Sequence, residues 1–258
     1  MTALLETRAL SRSFGALAAV RNISFNLEHG ARHALIGPNG AGKTTFINLL
    51  TGVLEPSQGQ VLLDDRDVSA ISQAGRVKLG IARTFQINRL FRGLSVLENV
   101  YIAVAERLGA APAMLTPAGS RRDVIAESMA MLEMLKLAGD ADHRVSELPY
   151  GRQRLVELAI ALGLKPRVLL LDEPAAGVPS AESHIILDAI AALPPDIGVL
   201  IIEHDMDVVF RFAQRITVMV EGTILTEGTP REIAADERVR AVYLGQEAHR
   251  AAKSEAVR

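Results

Sequence analysis

Residues 37–44 read GPNGAGKT, and this glycine-rich segment constrains the fold more than any other part of the sequence. The apolar run Ala34–Ile36 before it predicts the end of a buried strand, and Phe46–Gly52 after it predict a helix that ends at glycine. A loop of this kind between strand and helix points successive backbone N–H groups, and the positive end of the helix dipole, at phosphate groups. The segment predicts an α/β fold that binds ATP or GTP; the alternative is a glycine-rich turn with an accidental lysine.

Two side chains of this loop have predicted contacts of their own. Lys43 is placed to reach the β- and γ-phosphates, and Thr44 is placed to put its hydroxyl on Mg²⁺. The predicted nucleotide-binding residues of the segment are Gly37, Pro38, Asn39, Gly40, Ala41, Gly42, Lys43, Thr44 and Thr45.

The composition favours a compact protein without disulfides. The chain has 258 residues, 49% of them hydrophobic, which is enough for a large core, and it contains no cysteine for a disulfide framework or a thiolate metal site. Its 28 basic and 30 acidic residues are well mixed, so the basic excess of a general nucleic-acid binder is absent. Glu6 and Arg8 interrupt the place of a secretory signal, and prolines and aspartates interrupt the longest apolar region, 185–202. We therefore expect a soluble or peripheral protein.

The apolar patterns predict strands at both ends of the chain and helices in its middle. Alternating positions predict antiparallel strands at Leu4–Phe14 and Val20–Leu27. Short apolar runs predict buried strands at Ala31–Ile36, Ile81–Phe85, Val168–Leu171, Val199–Ile202 and Ile216–Val220.

Between Ser95 and about Leu164 the patterns are mainly helical. Ser95 and Glu98 have the spacing of a capping box. Two further helices are predicted by apolar residues on one face, namely Val124, Ser128, Met131, Leu132 and Leu135 in one and Leu155, Leu158, Ala159 and Leu162 in the other. Gly109–Ser120, rich in proline and glycine, predicts a loop. The chain is thus predicted to be an α/β core with an inserted helical lobe.

Two carboxylates follow the apolar run Val168–Leu171. Ligands of open α/β sheets bind at the carboxyl ends of the strands, where Asp172 and Glu173 would lie. We expect Asp172 to hold Mg²⁺ through water together with Thr44, and Glu173 to polarise the attacking water. The alternative is an ordinary acidic turn after a core strand, but the phosphate loop favours hydrolysis of a nucleotide.

Taken together and in this order, the motifs resemble the ATP-binding subunits of ABC transporters over nearly the whole chain. The resemblance implies a P-loop NTPase core with an N-terminal antiparallel β subdomain and an inserted α-helical subdomain, the ABC-type nucleotide-binding domain. It implies one domain over residues 1–258, with residues 1–86 and 165–245 in the β subdomain and core, 87–164 in the helical subdomain, and 246–258 as a C-terminal tail.

The resemblance also assigns roles to three isolated residues. Phe14 matches the aromatic residue that stacks on adenine, Gln86 the glutamine that touches Mg²⁺ and the water, and His204 the histidine that contacts the γ-phosphate. Taken alone, they would be a core aromatic residue, a surface glutamine and a structural histidine. The implied catalytic residues are Glu173, His204, Lys43 and Gln86, and the implied metal ligands are Thr44, Gln86 and Asp172.

The family's signature segment is matched by LPYGRQRLVELAIAL, residues 148–162, which in the family covers the ATP of the opposite subunit. We expect Tyr150, Gly151 and Arg152 to contact that nucleotide. The commonest form of the motif is LSGGQ, and Pro149 here offers neither a hydroxyl nor a backbone N–H. Pro179 replaces the usual Asp or Asn of the following interface loop, which bears on communication between the two ATP sites.

Within the family, the chain looks closest to subunits that energise branched-chain amino-acid uptake. The similarity lies in residues 83–104, in PYGRQR, in DEPAAG at 172–177 and in AVYLG at 241–245. It implies integral-membrane permease subunits, a second ATP-binding subunit and, indirectly, a solute-binding protein as partners, at the cytoplasmic face of the inner membrane and without nucleic acid. The open alternatives are the ATPase of a lipid-component exporter, a non-transport ABC ATPase, and a non-catalytic module that uses ATP as a dimerising ligand.

Overall fold

A computed structural model describes residues 3–84, 90–109 and 121–243. The strands are β1 (Ala3–Phe14), β2 (Leu17–Glu28), β3 (Arg32–Ile36), β4 (Gln58–Leu63), β5 (Arg66–Asp67), β6 (Ile81–Arg83), β7 (Val168–Asp172), β8 (Gly198–Ile202), β9 (Arg215–Val220) and β10 (Thr223–Gly228). The helices are α1 (Lys43–Thr51), α2 (Gln73–Lys78), α3 (Val96–Arg107), α4 (Arg122–Met134), α5 (Tyr150–Gly163), α6 (Ser180–Ala191), α7 (Met206–Phe212) and α8 (Pro230–Ala235). The chain forms two compact units, Met1–Ile71 with Gly198–Arg258, and Ser72–Ile197.

The first unit contains an antiparallel sheet in the order β2-β1-β4-β5. Alternate residues of β2 from Ile23 onward are buried, as the period of two in its sequence predicts. β1 pairs with β2 through a tight turn in which Gly15 has φ 58°, a value that glycine adopts without strain. Both strands of this hairpin were predicted from the sequence, and both predictions are confirmed.

A second set of strands in the first unit positions the phosphate loop. β3 runs parallel to β8 and β9, and β10 pairs antiparallel with β9. All of β8, and all of β3 except Arg32, is buried, which explains their largely apolar sequences. α1 follows β3 and ends at Gly52, whose φ is 75°. The predicted helical stop at glycine is therefore confirmed, although the helix starts at Lys43 rather than at Phe46.

The second unit contains most of the helices and two parallel strands. β6 pairs with β7, with Ile81 opposite Val168. The capping box predicted before α3 is present, because the Glu98 backbone N–H donates to Ser95 Oγ at 3.1 Å and the Ser95 N–H donates to Glu98 Oε2 at 2.7 Å. The predicted apolar face of α5 is buried at every position. On α4, Val124, Ser128 and Leu132 are buried and Met131 is half-buried.

Three strands, β4, β5 and β10, were not predicted from the sequence. The first half of β4 and all of β5 are exposed, and most of β10 is half-buried, so hydrophobicity alternates too weakly there to predict a strand. The predicted strand Ile81–Phe85 corresponds to β6, and Phe85 lies outside the described residues, as does the predicted loop after Gly109. Within the described ranges, no helix has the length and apolar character needed to cross a bilayer. The division into functional subdomains stays a prediction.

Candidate nucleotide-binding site

The loop between β3 and α1 can be built only with glycine at two positions. A Cβ atom at Gly37 would lie 2.1 Å from the carbonyl oxygen of Met219, and one at Gly42 would lie 2.3 Å from the carbonyl oxygen of Ala19. The loop is also tied to its surroundings, since the Gly222 N–H donates to the Ala41 carbonyl oxygen at 2.9 Å. The backbone is therefore held in a preformed turn.

The start of α1 fits a bound anion. Its N-cap residue, Gly42, provides no side-chain cap, and the first turn contains no acidic residue. The first N–H groups of a helix have no partner within the helix, and its dipole favours negative charge there. The Lys43 Nζ atom donates to the carbonyl oxygens of Gly37, at 2.5 Å, and Pro38, at 3.0 Å, so its ammonium group lies against the loop. This cradle fits the phosphates of a nucleotide.

Phe14 lies at the end of β1 and is 43% exposed, which is unusual for a large aromatic side chain. The guanidinium carbon of Arg12 is 4.8 Å from the ring centroid of Phe14. A half-exposed ring at the end of a strand can stack on a nucleotide base.

Asp172 and Glu173 lie where β7 ends. The carboxylate of Asp172 is buried and accepts a hydrogen bond from Arg83 Nη2 at 2.5 Å. Glu173 has a φ of 47°, an uncommon left-handed conformation for a side-chain-bearing residue, and such conformations concentrate at functional sites. Asp172 and the Thr44 hydroxyl are oxygen donors, the ligands that Mg²⁺ prefers. Within the described residues no group of three or more His, Cys, Asp or Glu side chains could hold a metal ion by itself.

His204 follows β8 and its side chain is 67% exposed. Its backbone N–H donates to Oε2 of the buried Glu203 at 3.2 Å, and the ring atom Nδ1 is 3.9 Å from the same oxygen. The contact to Glu203 restrains the backbone, while the ring remains accessible to a ligand.

The signature segment starts α5. Pro149 is the N-cap and provides no side-chain cap, and the first turn of the helix has no acidic residue. Arg152 Nε donates to Asp140 Oδ2 at 2.6 Å, and Nη2 donates to the Lys136 carbonyl oxygen at 3.0 Å. The charge of Arg152 is thus engaged within its own unit. A Cβ on Gly177, in the loop after β7, would lie 3.4 Å from Tyr150 Cε1, so this loop and the signature segment are in close contact.

The chain matches a family model described as "ABC transporter" over residues 20–176, more than half of its length. The chain belongs to the ABC transporter family. A second model, described as "Branched-chain amino acid ATP-binding cassette transporter", matches residues 223–249 of the cassette.

Curated relatives match the cassette over nearly their whole length. The high-affinity branched-chain amino acid transport ATP-binding protein LivG of Salmonella typhimurium is 39% identical over 250 residues, which cover 94% of this chain and 98% of that protein. The similarly described BraF of Pseudomonas aeruginosa is 36% identical over the same coverage.

Solved structures confirm the predicted fold. An ABC transporter ATP-binding cassette in its ADP conformation is 30% identical, with a TM-score of 0.84 over 95% of this chain and 100% of that one. A nucleotide-free cassette has a TM-score of 0.82 at 30% identity. The ABC-type nucleotide-binding domain and the assignment as a nucleotide-binding ATPase of the transporter family are therefore confirmed.

The predicted site residues of the cassette are distributed over both units. The first unit carries Phe14, residues 37–45 and His204, and the second carries Tyr150, Gly151, Arg152, Asp172 and Glu173. Gln86 lies outside the described residues. Sequence reasoning did not single out Arg12 or Arg83. Arg83 could have been found, because it lies in the predicted strand Ile81–Phe85, which was assigned to the same buried sheet as Val168–Leu171.

Proposed function

We propose that this cassette is the ATP-hydrolysing subunit of an importer for branched-chain amino acids or related small polar solutes. The observation that carries the proposal is the similarity to LivG and BraF over at least nine-tenths of both chains. The match of residues 223–249 to the branched-chain model supports the same subfamily.

The proposed chemistry assigns a role to each predicted site residue. The backbone of the phosphate loop and Lys43 bind the phosphates, and Phe14 stacks on adenine. Thr44, Asp172 and Gln86 would hold Mg²⁺, which would supply positive charge near the phosphates. Glu173 orients and deprotonates the attacking water, and Lys43 and His204 stabilise the charge that develops on the transferred group. Phosphoryl transfer needs positioning and charge more than covalent help, and these side chains supply both.

A second cassette is proposed to complete each ATP site. The signature segment would cover the partner's nucleotide, with the start of α5 directed at the γ-phosphate. The first turn of α5 lacks a side-chain cap at Pro149 and an acidic residue, which favours an anion there. Because Arg152 is bound to Asp140, we assign the main contact to the Gly151 backbone and Tyr150, with Arg152 contributing only after leaving Asp140.

Permease subunits are the proposed membrane partners, and the cassette is proposed to lie peripherally at the cytoplasmic face of the inner membrane. A short helix of the permease would dock near residues 90–92. Phe91 is 58% exposed there and Arg92 is exposed, while Leu90 is buried; Arg89 lies outside the described residues. An apolar, half-exposed ring beside a cation fits the end of a helix that packs in a groove. The solute-binding protein would act through the permease, and no nucleic acid is involved.

The decisive experiment is purification of the cassette with its co-expressed permease subunits, followed by measurement of ATPase activity with solute-loaded binding protein. Stimulation by leucine, isoleucine or valine, or by a related small polar solute, supports the proposal. Stimulation by a lipid component instead would assign the cassette to an exporter. Absence of hydrolysis by the assembled complex would favour the non-catalytic module, and activity that needs no permease would favour a non-transport ATPase.

A further inference from the structure

Arg83 and Asp172 end two neighbouring parallel strands of the second unit. Arg83 is opposite Leu170 in the register of β6 and β7, and the next residue, Thr84, donates its backbone N–H to the Leu170 carbonyl oxygen at 3.0 Å. The two strand ends are therefore joined by a backbone hydrogen bond directly after Arg83. This places the guanidinium where it reaches the carboxylate beyond Leu170 and Leu171.

The contact between these two side chains is shielded from solvent. Arg83 Nη2 lies 2.5 Å from Asp172 Oδ2, and the two side chains are 11% and 6% exposed. A charge-assisted hydrogen bond of this kind is short and directional, and it restricts rotation of the carboxylate. It also compensates a negative charge that would be costly to bury alone. One carboxylate oxygen is thus held by the protein.

A second arginine in the same unit offers a comparison. Arg107 Nη2 lies 2.6 Å from Glu127 Oε2, and both side chains are 20% exposed. This pair is also largely shielded from solvent, but its carboxylate is one to which we assign no metal, and Arg107 lies outside the signature segment. The two pairs separate the effect of losing a largely shielded arginine from the effect of losing a partner of Asp172.

We propose that Arg83 is a positioning residue for the magnesium site, acting through Asp172. It holds Oδ2 so that the orientation of the carboxylate toward the ion is set before the nucleotide arrives. Partners of this kind, behind the direct ligands, typically change metal affinity 10- to 100-fold when removed. The inference rests on the proposed role of Asp172 and extends it to a residue outside the phosphate loop and the signature segment.

The test measures binding of Mn²⁺, a spectroscopic substitute for Mg²⁺, by the loss of its free electron paramagnetic resonance signal. All variants carry Glu173→Gln and are saturated with ATP, so that hydrolysis does not enter. We expect Arg83→Met to weaken Mn²⁺ binding about 10-fold. Arg83→Lys should weaken it too, because an ammonium group cannot reproduce the planar geometry of a guanidinium. The matched control Arg107→Met should bind Mn²⁺ as the parent does.

The outcomes separate this inference from the proposed function. Unchanged Mn²⁺ affinity in Arg83→Met overturns the inference, and if that variant does not fold, unchanged affinity in Arg83→Lys overturns it. Equal losses in Arg83→Met and Arg107→Met also overturn it, because the effect would then be general. Asp172→Asn is measured in parallel: if it leaves Mn²⁺ affinity unchanged, the proposed role of Asp172 fails. A loss of Mn²⁺ affinity in Asp172→Asn without a loss in Arg83→Met would overturn only the role of Arg83.

Discussion

Arg12 and Phe14, two residues apart on β1, form a cation–π pair in which the guanidinium carbon lies 4.8 Å from the ring centroid. The guanidinium is itself anchored, since Nη1 donates to the Glu55 carbonyl oxygen at 2.9 Å. One face of the ring is therefore occupied by a fixed cation. The opposite face is the one that we assign to adenine.

We expect Arg12→Ala to weaken ATP binding about 2- to 5-fold, since an exposed cation–π contact contributes about 0.5–1 kcal/mol and here orders the ring. Phe14→Ala should weaken binding more, and Phe14→Tyr should retain it. Isothermal titration calorimetry with a non-hydrolysable ATP analogue measures both. Equal affinity for the ATP analogue in the wild type and in Phe14→Ala would show that Phe14 does not stack on adenine.

Replacement of Glu173 by Gln should separate binding from hydrolysis. Glutamine preserves the shape of the side chain but cannot accept the proton of the attacking water, so turnover should fall at least ~100-fold while ATP still binds. Steady-state phosphate release and ATP affinity are measured on the same preparation. Near-normal turnover would exclude Glu173 as the general base.

The phosphate loop allows a stability test with an internal control. A Cβ at Gly37 would lie 2.1 Å from the Met219 backbone oxygen, whereas a Cβ at Gly40 meets no atom within 4 Å, although both have positive φ. Gly40→Ala should therefore lose only about 1–2 kcal/mol from its conformation. Gly37→Ala must also displace backbone and should lose clearly more free energy of unfolding. Urea denaturation compares the two, and equal losses would contradict the close approach of Met219.

The free energy of unfolding should decrease as the pH falls below 6.5, the pKa of an ordinary histidine. Burial lowers the pKa of His33 from 6.5 to about 4; the charge of Glu227 opposes this shift, and that of Arg215 adds to it. The ring is enclosed, because Nε2 lies 2.8 Å from Thr217 Oγ1 and Phe25 packs edge-on with 4.9 Å between the ring centroids. Between these two pH values the unfolded chain binds the proton and the folded chain does not. This group therefore contributes stability above pH 6.5 and loses it progressively toward pH 4.

The expected slope from His33 alone is on the order of 1 kcal/mol per pH unit in that window. Urea denaturation from pH 7 to pH 4.5 measures it. His33→Gln should flatten the dependence, and the exposed His184 provides the control, since His184→Gln should leave the slope unchanged. An unaltered slope in His33→Gln would assign the pH dependence to other groups.

Phe91→Asp should uncouple ATPase activity from transport by placing a charge in the proposed permease contact, while the isolated cassette stays folded. Transport into vesicles and ATPase activity of the complex are measured together. Val53, 46% exposed against 58% for Phe91, gives a control of similar exposure in the first unit, and Val53→Asp should transport normally. Normal transport by Phe91→Asp would show that Phe91 is not part of the permease contact.

The features of the fold that could be predicted from the sequence are those that depend on neighbouring residues. The Ser95 and Glu98 capping box and the stop of α1 at Gly52 depend on residues within a few positions of each other, and both were predicted correctly. β10 was missed because it is an edge strand whose residues are mostly half-buried, so its sequence carries little alternation. Its place depends on pairing with β9, which is a property of the folded chain.

The sequence by itself determined the chemistry of this cassette: glycine, lysine and threonine at fixed spacing, and two carboxylates directly after a buried strand. Those features are local, because backbone conformation and side-chain type alone produce them. Only the tertiary structure decided which groups hold the functional side chains. It joins Arg83 to Asp172 across neighbouring strands and Arg152 to Asp140 on separate elements. Such pairs follow from the register of strands and the packing of helices, which bring distant residues within hydrogen-bonding distance.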